Sequence, residues 1–246
     1  QVRLEADGEV WVVSGDYKRQ DDPTCAPFEV VPCDVFITEA TFALPVYQWR
    51  SGEIVAREIL EWWDGNVRRG RASVLLCYAL GKAQRVLGEL AQLTNRPAYL
   101  HGAIASMVEV YREAGVEMLP TEKVDGRDKK KKYAGELVLA PPSAAGSTWL
   151  RRFADYDLGF ASGWMRLRGS RRRRGYDRGF ILSDHADWPG LIDTIRATGA
   201  RKVLATHGYS DAMVRYLREE GIDAEALETA FGDDPEQGSG VAESEP

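Results

Sequence analysis

The amino-acid sequence predicts an α/β fold, because short apolar runs alternate with segments in which apolar residues recur at helical spacing. The chain has 246 residues, of which 44% are hydrophobic and 28% charged, a mixture typical of a globular protein with one large domain or two smaller ones. The longest strongly apolar run, Val74–Leu80, is far shorter than the roughly 20 residues that span a bilayer. We therefore expect no transmembrane helix and no membrane partner.

Apolar runs bounded by polar or turn residues predict seven strands, which are Glu9–Val13, Asp34–Thr38, Ser73–Tyr78, Ala98–Leu100, Glu136–Ala140, Gly179–Leu182 and Lys202–Thr206. Helices are predicted after most of them, with apolar faces formed by Val55, Ile59 and Trp62, by Val86, Leu90 and Leu93, by Trp188, Leu191, Ile192 and Ile195, and by Met213, Tyr216 and Leu217. Pro189 is expected near the start of its helix, where proline is tolerated. We interpret all four faces as parts of the core.

The net charge of −6 is unevenly distributed along the chain. From Glu219 to Pro246 there are ten acidic residues and no lysine or arginine, so the rest of the chain has 28 acidic residues against 32 basic ones. Two basic clusters stand out, Lys129–Lys132 and the arginines between Arg166 and Arg178. A basic surface is typical of a protein with a polyanionic partner, although a lone lysine run is more often a solvated loop.

Three cysteines, Cys25, Cys33 and Cys77, form no C-x-x-C pair and cannot all pair with one another. This usage favours a reducing compartment, and we expect a cytoplasmic protein. The sequence has no Gly-x-Gly-x-x-Gly after a predicted strand and no Gly-x-Ser-x-Gly, so it gives no support to a nicotinamide cofactor or to an α/β-hydrolase.

Residues suited to metal or acid–base chemistry follow four predicted strands: Asp16, Glu39, His185 and His207. In open α/β sheets the carboxyl edge of the strands is where ligands bind, so we expect the four side chains to meet there. Each residue also has a structural interpretation, as a turn, a cap or a hydrogen-bonded loop residue. His101 follows a strand in the same way, and we interpret it as structural.

Several segments together resemble motifs of the β-CASP branch of the metallo-β-lactamase superfamily; they are Ser14–Lys18, Thr38–Phe42, Tyr78–Gln84, Ser183–Trp188 and Thr206–Gly208. The amino-acid sequence of these segments is most similar to that of bacterial ligase-associated DNA exonucleases, especially over Asp16–Pro27 and Arg171–Pro189. The resemblance extends from Gln1 to about Phe231. It implies an incomplete metallo-β-lactamase αββα sandwich over residues 1–48 and 179–231 and a β-CASP-like α/β insertion over 49–178. Because glycine, serine, proline and acidic residues dominate from Gly232 onward, we also expect a disordered acidic tail over 232–246.

The resemblance also implies roles for individual residues. Asp16 and His207 would be ligands of two divalent metal ions, zinc or manganese, such as those that activate water in phosphodiester hydrolysis. His185 would contact the scissile phosphate and protonate the leaving oxygen, and Glu39 would orient His185. DNA contacts are expected from Lys18 and from the arginines of the basic cluster, namely Arg171, Arg172, Arg173 and Arg174.

The family's His-x-His-x-Asp-His motif, which would lie upstream of Asp16, is absent from this sequence. The chain therefore resembles the C-terminal part of a longer protein, and we expect it to have little or no nuclease activity alone. For the longer protein we expect metal-dependent exonuclease activity on DNA in repair, alongside a DNA ligase and a helicase. The alternatives are an RNA-processing nuclease of the same branch and a non-catalytic nucleic-acid-binding subunit.

Overall fold

The computed structural model describes residues 1–124, 133–167 and 175–227, which divide into two compact units. Of the described residues, the first unit contains 1–19, 27–49 and 184–227, and the second contains 20–26, 50–124, 133–167 and 175–183. In chain order the helices and strands of the described residues are β1 (Val2–Ala6), β2 (Glu9–Val13), β3 (Val35–Glu39), α1 (Gly52–Arg69), β4 (Ala72–Leu76), α2 (Lys82–Ala91), β5 (Ala98–Leu100), α3 (Gly102–Glu113), β6 (Thr121–Lys123), β7 (Leu137–Ala140), β8 (Tyr156–Ala161), β9 (Arg178–Phe180), α4 (Trp188–Thr198), β10 (Lys202–Thr206), α5 (Ser210–Glu219) and β11 (Asp223–Ala226).

The first unit is built on a five-stranded sheet with the spatial order β1-β2-β3-β10-β11. Strand β1 is antiparallel to β2, and the other neighbouring strands are parallel. Helices α4 and α5 cover the sheet with buried side chains that include Leu191, Ile195, Met213 and Leu217. The two predicted apolar faces are thereby confirmed as core. The parallel strands β2, β3 and β10 bring three carboxyl ends to one edge, where the candidate site lies.

Local signals fix the start of α4. Asp187 is its N-cap and accepts a hydrogen bond from the backbone N–H of Gly190 at 3.0 Å. Pro189 occupies the first turn, as predicted, because its missing N–H has no helical partner there. The helix ends at Gly199, whose left-handed φ of 66° closes the last turn.

The second unit contains a six-stranded, wholly parallel sheet with the order β6-β5-β7-β4-β8-β9. Its central strand β4 is buried along its whole length, as expected for a parallel strand with both faces covered. Helix α1 buries Val55, Ile59 and Trp63 against this core, and the predicted Trp62 is half-buried with its ring 5.3 Å from that of Phe180.

The division of the chain differs from the sequence expectation in three places. Trp49, expected in the insertion, belongs to the first unit. Residues 20–26, expected in the first part, belong to the second unit, where Thr24 packs against Gly88 so closely that an added Cβ would lie 2.9 Å from its methyl carbon. Residues 179–183, also expected in the first part, belong to the second unit because β9 pairs with β8. The predicted tail, 232–246, lies outside the described residues.

Four strands and one helix were not predicted: β1, β6, β8, β11 and α3. The seven predicted strands are present, with ends that differ from the prediction by two residues at most. Over the part of the chain that the structure describes, no helix is long and apolar enough to cross a membrane.

Candidate functional site

Three of the predicted site residues meet at the carboxyl edge of the first sheet. Asp16 follows β2 by three residues, Glu39 is the last residue of β3, and His207 follows β10 directly. Because these three strands are parallel neighbours, with Thr206 in register with Glu39, their ends lie side by side. One ligand atom from each of the three side chains lies within 4.8 Å of the others, as the sequence analysis predicts.

The turn after β10 depends on a glycine. His207 has a φ of 34° and Gly208 a φ of 72°, so two successive residues are in the left-handed region. A Cβ on Gly208 would lie 2.4 Å from the carbonyl oxygen of Ala40. The turn is closed by the N–H of Tyr209, which donates to that same carbonyl at 2.8 Å. Only glycine therefore allows the chain to pass close enough to β3 to present His207 at the edge.

Asp16 and His207 form a partly exposed pair, with 3.3 Å between Oδ1 and Nε2. This hydrogen bond, more than any other interaction, lowers the pKa of Asp16 and raises the pKa of His207. The other ring nitrogen, Nδ1, lies 2.9 Å from the hydroxyl oxygen of Thr206. Both ring nitrogens are thus oriented, and Thr206 is a contact that the sequence analysis missed although it lies within the quoted motif.

Glu39 and His185 form a second, more buried pair. The Glu39 side chain is fully buried, and its Oε2 lies 2.7 Å from Nδ1 of His185. Its other oxygen, Oε1, accepts a hydrogen bond from the backbone N–H of Tyr17 at 2.9 Å. An ionised carboxylate only accepts, so the proton at this contact is on Nδ1 of the imidazole. Glu39 therefore fixes both the tautomer and the orientation of the ring, while the catalytic role expected of the pair stays a prediction.

His185 reaches this place by a route that differs from the prediction. The strand that precedes it, β9, belongs to the second sheet, so three and not four strand ends of one sheet carry the site. The segment after β9 belongs to the first unit from residue 184 onward. His185 is held there by Trp49, whose indole Nε1–H donates to the His185 carbonyl at 3.0 Å, and by the ring of Phe42.

Trp49 is the functional neighbour that sequence reasoning missed. Besides its contact with His185, its backbone N–H donates to Oδ2 of Asp187 at 2.8 Å, and its ring lies 4.9 Å from that of Phe42. No spacing in the sequence joins residue 49 to residue 185, which lie 136 positions apart. The only available signal was the polar Asp187 within the quoted motif.

Of the predicted DNA-contact residues, only Lys18 lies within the described part of the chain. The side chain of Lys18 is 18% exposed, and its Nζ lies 4.0 Å from Oδ1 of Asp184. Its charge thus faces a carboxylate of the same unit. The residues Arg171, Arg172, Arg173 and Arg174 lie outside the described residues, as does Lys129–Lys132, so their role stays a prediction.

The donor atoms fit part of the shell of one divalent ion. Two ligands of a tetrahedral zinc ion, each at about 2.0–2.1 Å from it, are about 3.3–3.4 Å apart, and Nε2 of His207 and Oδ1 of Asp16 are 3.3 Å apart. An ion at this place would replace the proton that the two atoms share, while Thr206 would accept from Nδ1 of His207. Both oxygens of Glu39 already have partners. The described residues contain a single cluster of this kind, so they do not supply a second ion with its own ligands.

No protein-family model matches the chain. A curated relative from Opitutus terrae (strain DSM 11246 / JCM 15787 / PB90-1), named "Probable DNA ligase", is 28% identical over 233 residues. The aligned region covers 95% of this chain and 22% of the relative, so the chain spans about a fifth of that protein. A solved structure of a protein of unknown function from Enterococcus faecalis V583 matches with a TM-score of 0.57 and 11% identity, over 94% of this chain and 59% of that one. This likeness concerns the fold alone, and it agrees with the mixed α/β architecture.

Proposed function

We propose that the site at the carboxyl edge of the first sheet belongs to a metal-dependent phosphodiesterase that acts on DNA as an exonuclease. The observation that carries this proposal is the pairing at one edge of a buried Glu39–His185 couple with an Asp16–His207 couple. The first suits proton transfer and the second suits metal binding. In this proposal the first unit is part of a metallo-β-lactamase sandwich and the second unit is its β-CASP-like insertion.

Asp16 and His207 would hold the metal. When bound, a divalent ion such as zinc or manganese lowers the pKa of a water molecule and offsets negative charge on the phosphate oxygens. A catalytic zinc ion has three protein ligands as a rule, and two ions need more. The activity therefore belongs to a longer protein that supplies the remaining ligands, and we expect this chain alone to have little or none. The length of the relative, of which the chain covers 22%, supports this view.

His185 would exchange a proton with the leaving oxygen of the substrate. Because Nδ1–H donates to Glu39, the group that acts as the acid would be the imidazolium form of the ring. Its second proton, on Nε2, passes to the leaving oxygen, and the ring becomes neutral. Trp49 holds the backbone of His185 and Glu39 holds its ring, so the imidazole is oriented before substrate arrives. Such orientation lowers the entropic cost of proton transfer in the reaction.

DNA is the proposed substrate for two reasons. The curated relative is named as a ligase of DNA, and the arginine-rich segment over residues 166–178 suits a phosphate backbone. The longer protein would act in repair with a DNA ligase and a helicase. The alternative substrate is RNA, processed by the same chemistry. The alternative function is a nucleic-acid-binding subunit without catalysis, because two metal ligands alone do not complete a catalytic metal site.

The test measures metal content and hydrolysis separately. The chain and the longer protein are loaded with zinc or manganese, analysed for bound metal, and incubated with end-labelled DNA and RNA of the same sequence. We expect Asp16→Asn and His207→Gln to lose metal. We expect His185→Gln to keep its metal and to lose hydrolysis by about 10²–10⁴-fold, the usual effect of a general acid.

The outcomes separate the alternatives. Metal loss in His185→Gln equal to that in Asp16→Asn would make His185 a ligand and reject its assigned role. A longer protein that binds metal and DNA but releases no nucleotides would leave the binding subunit as the function. Faster cleavage of RNA than of DNA would reject the substrate assignment.

A further inference from the structure

A second group of polar side chains lies at the carboxyl edge of the second sheet. His101 follows β5 directly, and Lys123 is the last residue of β6, the neighbouring parallel strand. Arg152 ends a short 3-10 helix, Thr148–Arg152, in the segment after β7, which is the other neighbour of β5. This edge is the place where open parallel sheets bind ligands, and it lies in a different unit from the site described above.

His101 is the N-cap of α3, which agrees with the structural role expected of it, but capping uses only one of its ring nitrogens. Nδ1 accepts a hydrogen bond from the N–H of Ala103 at 3.1 Å. The proton of the neutral ring is therefore on Nε2, which becomes a hydrogen-bond donor. Within the described residues, Nε2 of His101 is assigned no hydrogen-bond acceptor.

Trp149 fixes the relation between His101 and Arg152. Its ring lies 4.8 Å from the imidazole of His101 in an edge-on arrangement, and the Arg152 guanidinium lies over the same indole at 5.0 Å. The Nε–H of Arg152 also donates to the Trp149 carbonyl at 2.8 Å. The indole thus contacts both donors and leaves the remaining guanidinium N–H groups of Arg152 for a ligand.

The two cations at this edge have no carboxylate partner among the described residues. Neither Lys123 nor Arg152 forms an ion pair there, whereas other arginines of the same unit do. Arg69, Arg71 and Arg96 each contact an aspartate at 2.7–2.9 Å. Burial is the main cause that lowers the pKa of the His101 imidazole. The positive charges of Arg152 and Lys123 lower this pKa further.

Lys123 also lies where a cation is least favoured. A Cβ built on Gly102, the first residue of α3, would be 3.3 Å from Cε of Lys123 and 3.8 Å from its Nζ. The amino-terminal end of a helix carries partial positive charge, and the first turn of α3 contains no acidic residue. The folded chain thus gathers like charges without offsetting them, an arrangement that an anion would stabilise.

We propose that His101, Lys123 and Arg152 form a subsite for a phosphate group of an oligonucleotide, with Trp149 holding two of the three donors in place. The three side chains offer an imidazole N–H, an ammonium and a guanidinium, which are the donors that phosphate oxygens accept. The chemistry stands on the donors themselves, and only the choice of an oligonucleotide rests on the function proposed above.

The test is a binding measurement in EDTA, so that hydrolysis does not contribute. A short single-stranded DNA with a 5′-phosphate and a 3′-fluorophore is titrated with the chain over a series of KCl concentrations. The double variant Lys123→Gln/Arg152→Gln should reduce the slope of log K against log[KCl] by about 0.7 for each phosphate that it no longer neutralises. The control is Arg68→Gln in the last turn of α1, which removes the same charge as Arg152→Gln from an exposed side chain of the same unit.

A second measurement identifies the residue and the source of the anion. The imidazole proton resonance of His101, assigned with His101→Asn, is followed while inorganic phosphate or the oligonucleotide is added. Asparagine keeps the N-cap, so this variant should fold and should bind the oligonucleotide more weakly. We expect both ligands to shift the resonance in the wild type.

Each result decides the proposal. The subsite would be overturned if the double variant kept both the salt slope of the wild type and the wild-type shift of the His101 resonance. A shift with inorganic phosphate but none with the oligonucleotide would reject the nucleic-acid source. Oligonucleotide binding that depends on these three side chains, together with a metal-loaded longer protein that hydrolyses no DNA, would sustain the subsite and reject the proposed function.

Discussion

The carboxyl edges of the two sheets differ in how their charged side chains are paired. At the first edge each ionisable group faces its complement, Glu39 with His185 and Asp16 with His207. At the second edge burial and then the charges of Arg152 and Lys123 lower the pKa of His101, and neither cation forms an ion pair among the described residues. Paired groups stabilise each other inside the fold, whereas gathered cations are stabilised only when an anion binds. The same sheet geometry thus serves an internally balanced site at one edge and a site open to a ligand at the other.

The largest effect is expected from Gly208→Ala, which changes the backbone of the turn that presents His207 at the edge of the first sheet. An alanine there would overlap the carbonyl of Ala40 and would adopt a left-handed conformation. We expect a loss of about 3 kcal/mol or more in the free energy of unfolding, and weaker metal binding because His207 moves.

The matched control is Gly15→Ala at the same edge. Gly15 has a φ of 61°, but an added Cβ would meet no atom within 4 Å. Only the conformational cost of about 1–2 kcal/mol should therefore appear in urea unfolding. Equal losses in the two variants would show that close packing against β3 does not position His207.

Next in size is Glu39→Ala, which breaks the buried couple. It leaves the N–H of Tyr17 and the Nδ1–H of His185 without their acceptor. Each unsatisfied buried donor costs about 1–3 kcal/mol. Because the His185 contact is only part-buried, we expect a loss at the lower end of the sum, about 2–3 kcal/mol in the free energy of unfolding. Glu39→Gln keeps an acceptor and should lose less. A Glu39→Ala variant as stable as the wild type would mean that Glu39 does not organise this edge.

Trp49→Phe should have a smaller effect, confined to the orientation of His185. The ring and its contact with Phe42 remain, but the hydrogen bond to the His185 carbonyl is removed, at a cost of about 1 kcal/mol. In the metal-loaded longer protein, hydrolysis should fall while metal content and substrate KM stay unchanged. The control is Trp11→Phe on β2. The indole N–H of Trp11 donates to Glu9 in a solvent-exposed hydrogen bond, so this change should stay within a few tenths of a kcal/mol.

The smallest effect concerns pH and the Asp16–His207 pair, measured in EDTA. The lowered pKa of Asp16 means that its share of the stability is present above about pH 4 and is lost as pH falls through its folded-state pKa. The raised pKa of His207 means that its share is present below about pH 6.5 and is lost as pH rises through its folded-state pKa. The pair should therefore stabilise the fold most between about pH 4 and 6.5.

The Asp16 side chain is 62% exposed, so solvent screening keeps the gain below about 1 kcal/mol. The difference in urea midpoint between the wild type and Asp16→Asn should be largest near pH 5.5 and should shrink above pH 8. A difference that grows with pH would contradict the assigned sign.

The sequence predicts those helices and strands in which apolar and polar residues follow a regular pattern. The strands β2, β5 and β10 match their predicted limits, because each is a short apolar run with polar or turn residues at its ends. Strand β8 was missed because Asp157 and Gly159 interrupt it. Asp157 is held by Arg69 and Arg71, and a Cβ on Gly159 would lie 3.1 Å from the indole of Trp62. Both residues suit a buried strand only through partners distant in sequence.

The candidate site shows the same limit. Asp16, Glu39 and His207 could be placed together because the carboxyl ends of parallel strands share an edge. His185 could be assigned to Glu39 only by resemblance, since its preceding strand belongs to the other sheet. The contact of Trp49 with the His185 backbone depends on the path of a loop, which no periodic pattern encodes.

Strand β1 has a consequence for handling the protein in solution. It forms the edge of the first sheet, is paired only with β2 within the described residues, and exposes every side chain, including Val2 and Leu4 at 56% and 58%. An apolar edge with unpaired backbone groups is a template on which another strand adds. Backbone amides of β1 should exchange with deuterium well before those of central β10. Concentrated samples should self-associate through this edge, and Leu4→Lys should suppress that association.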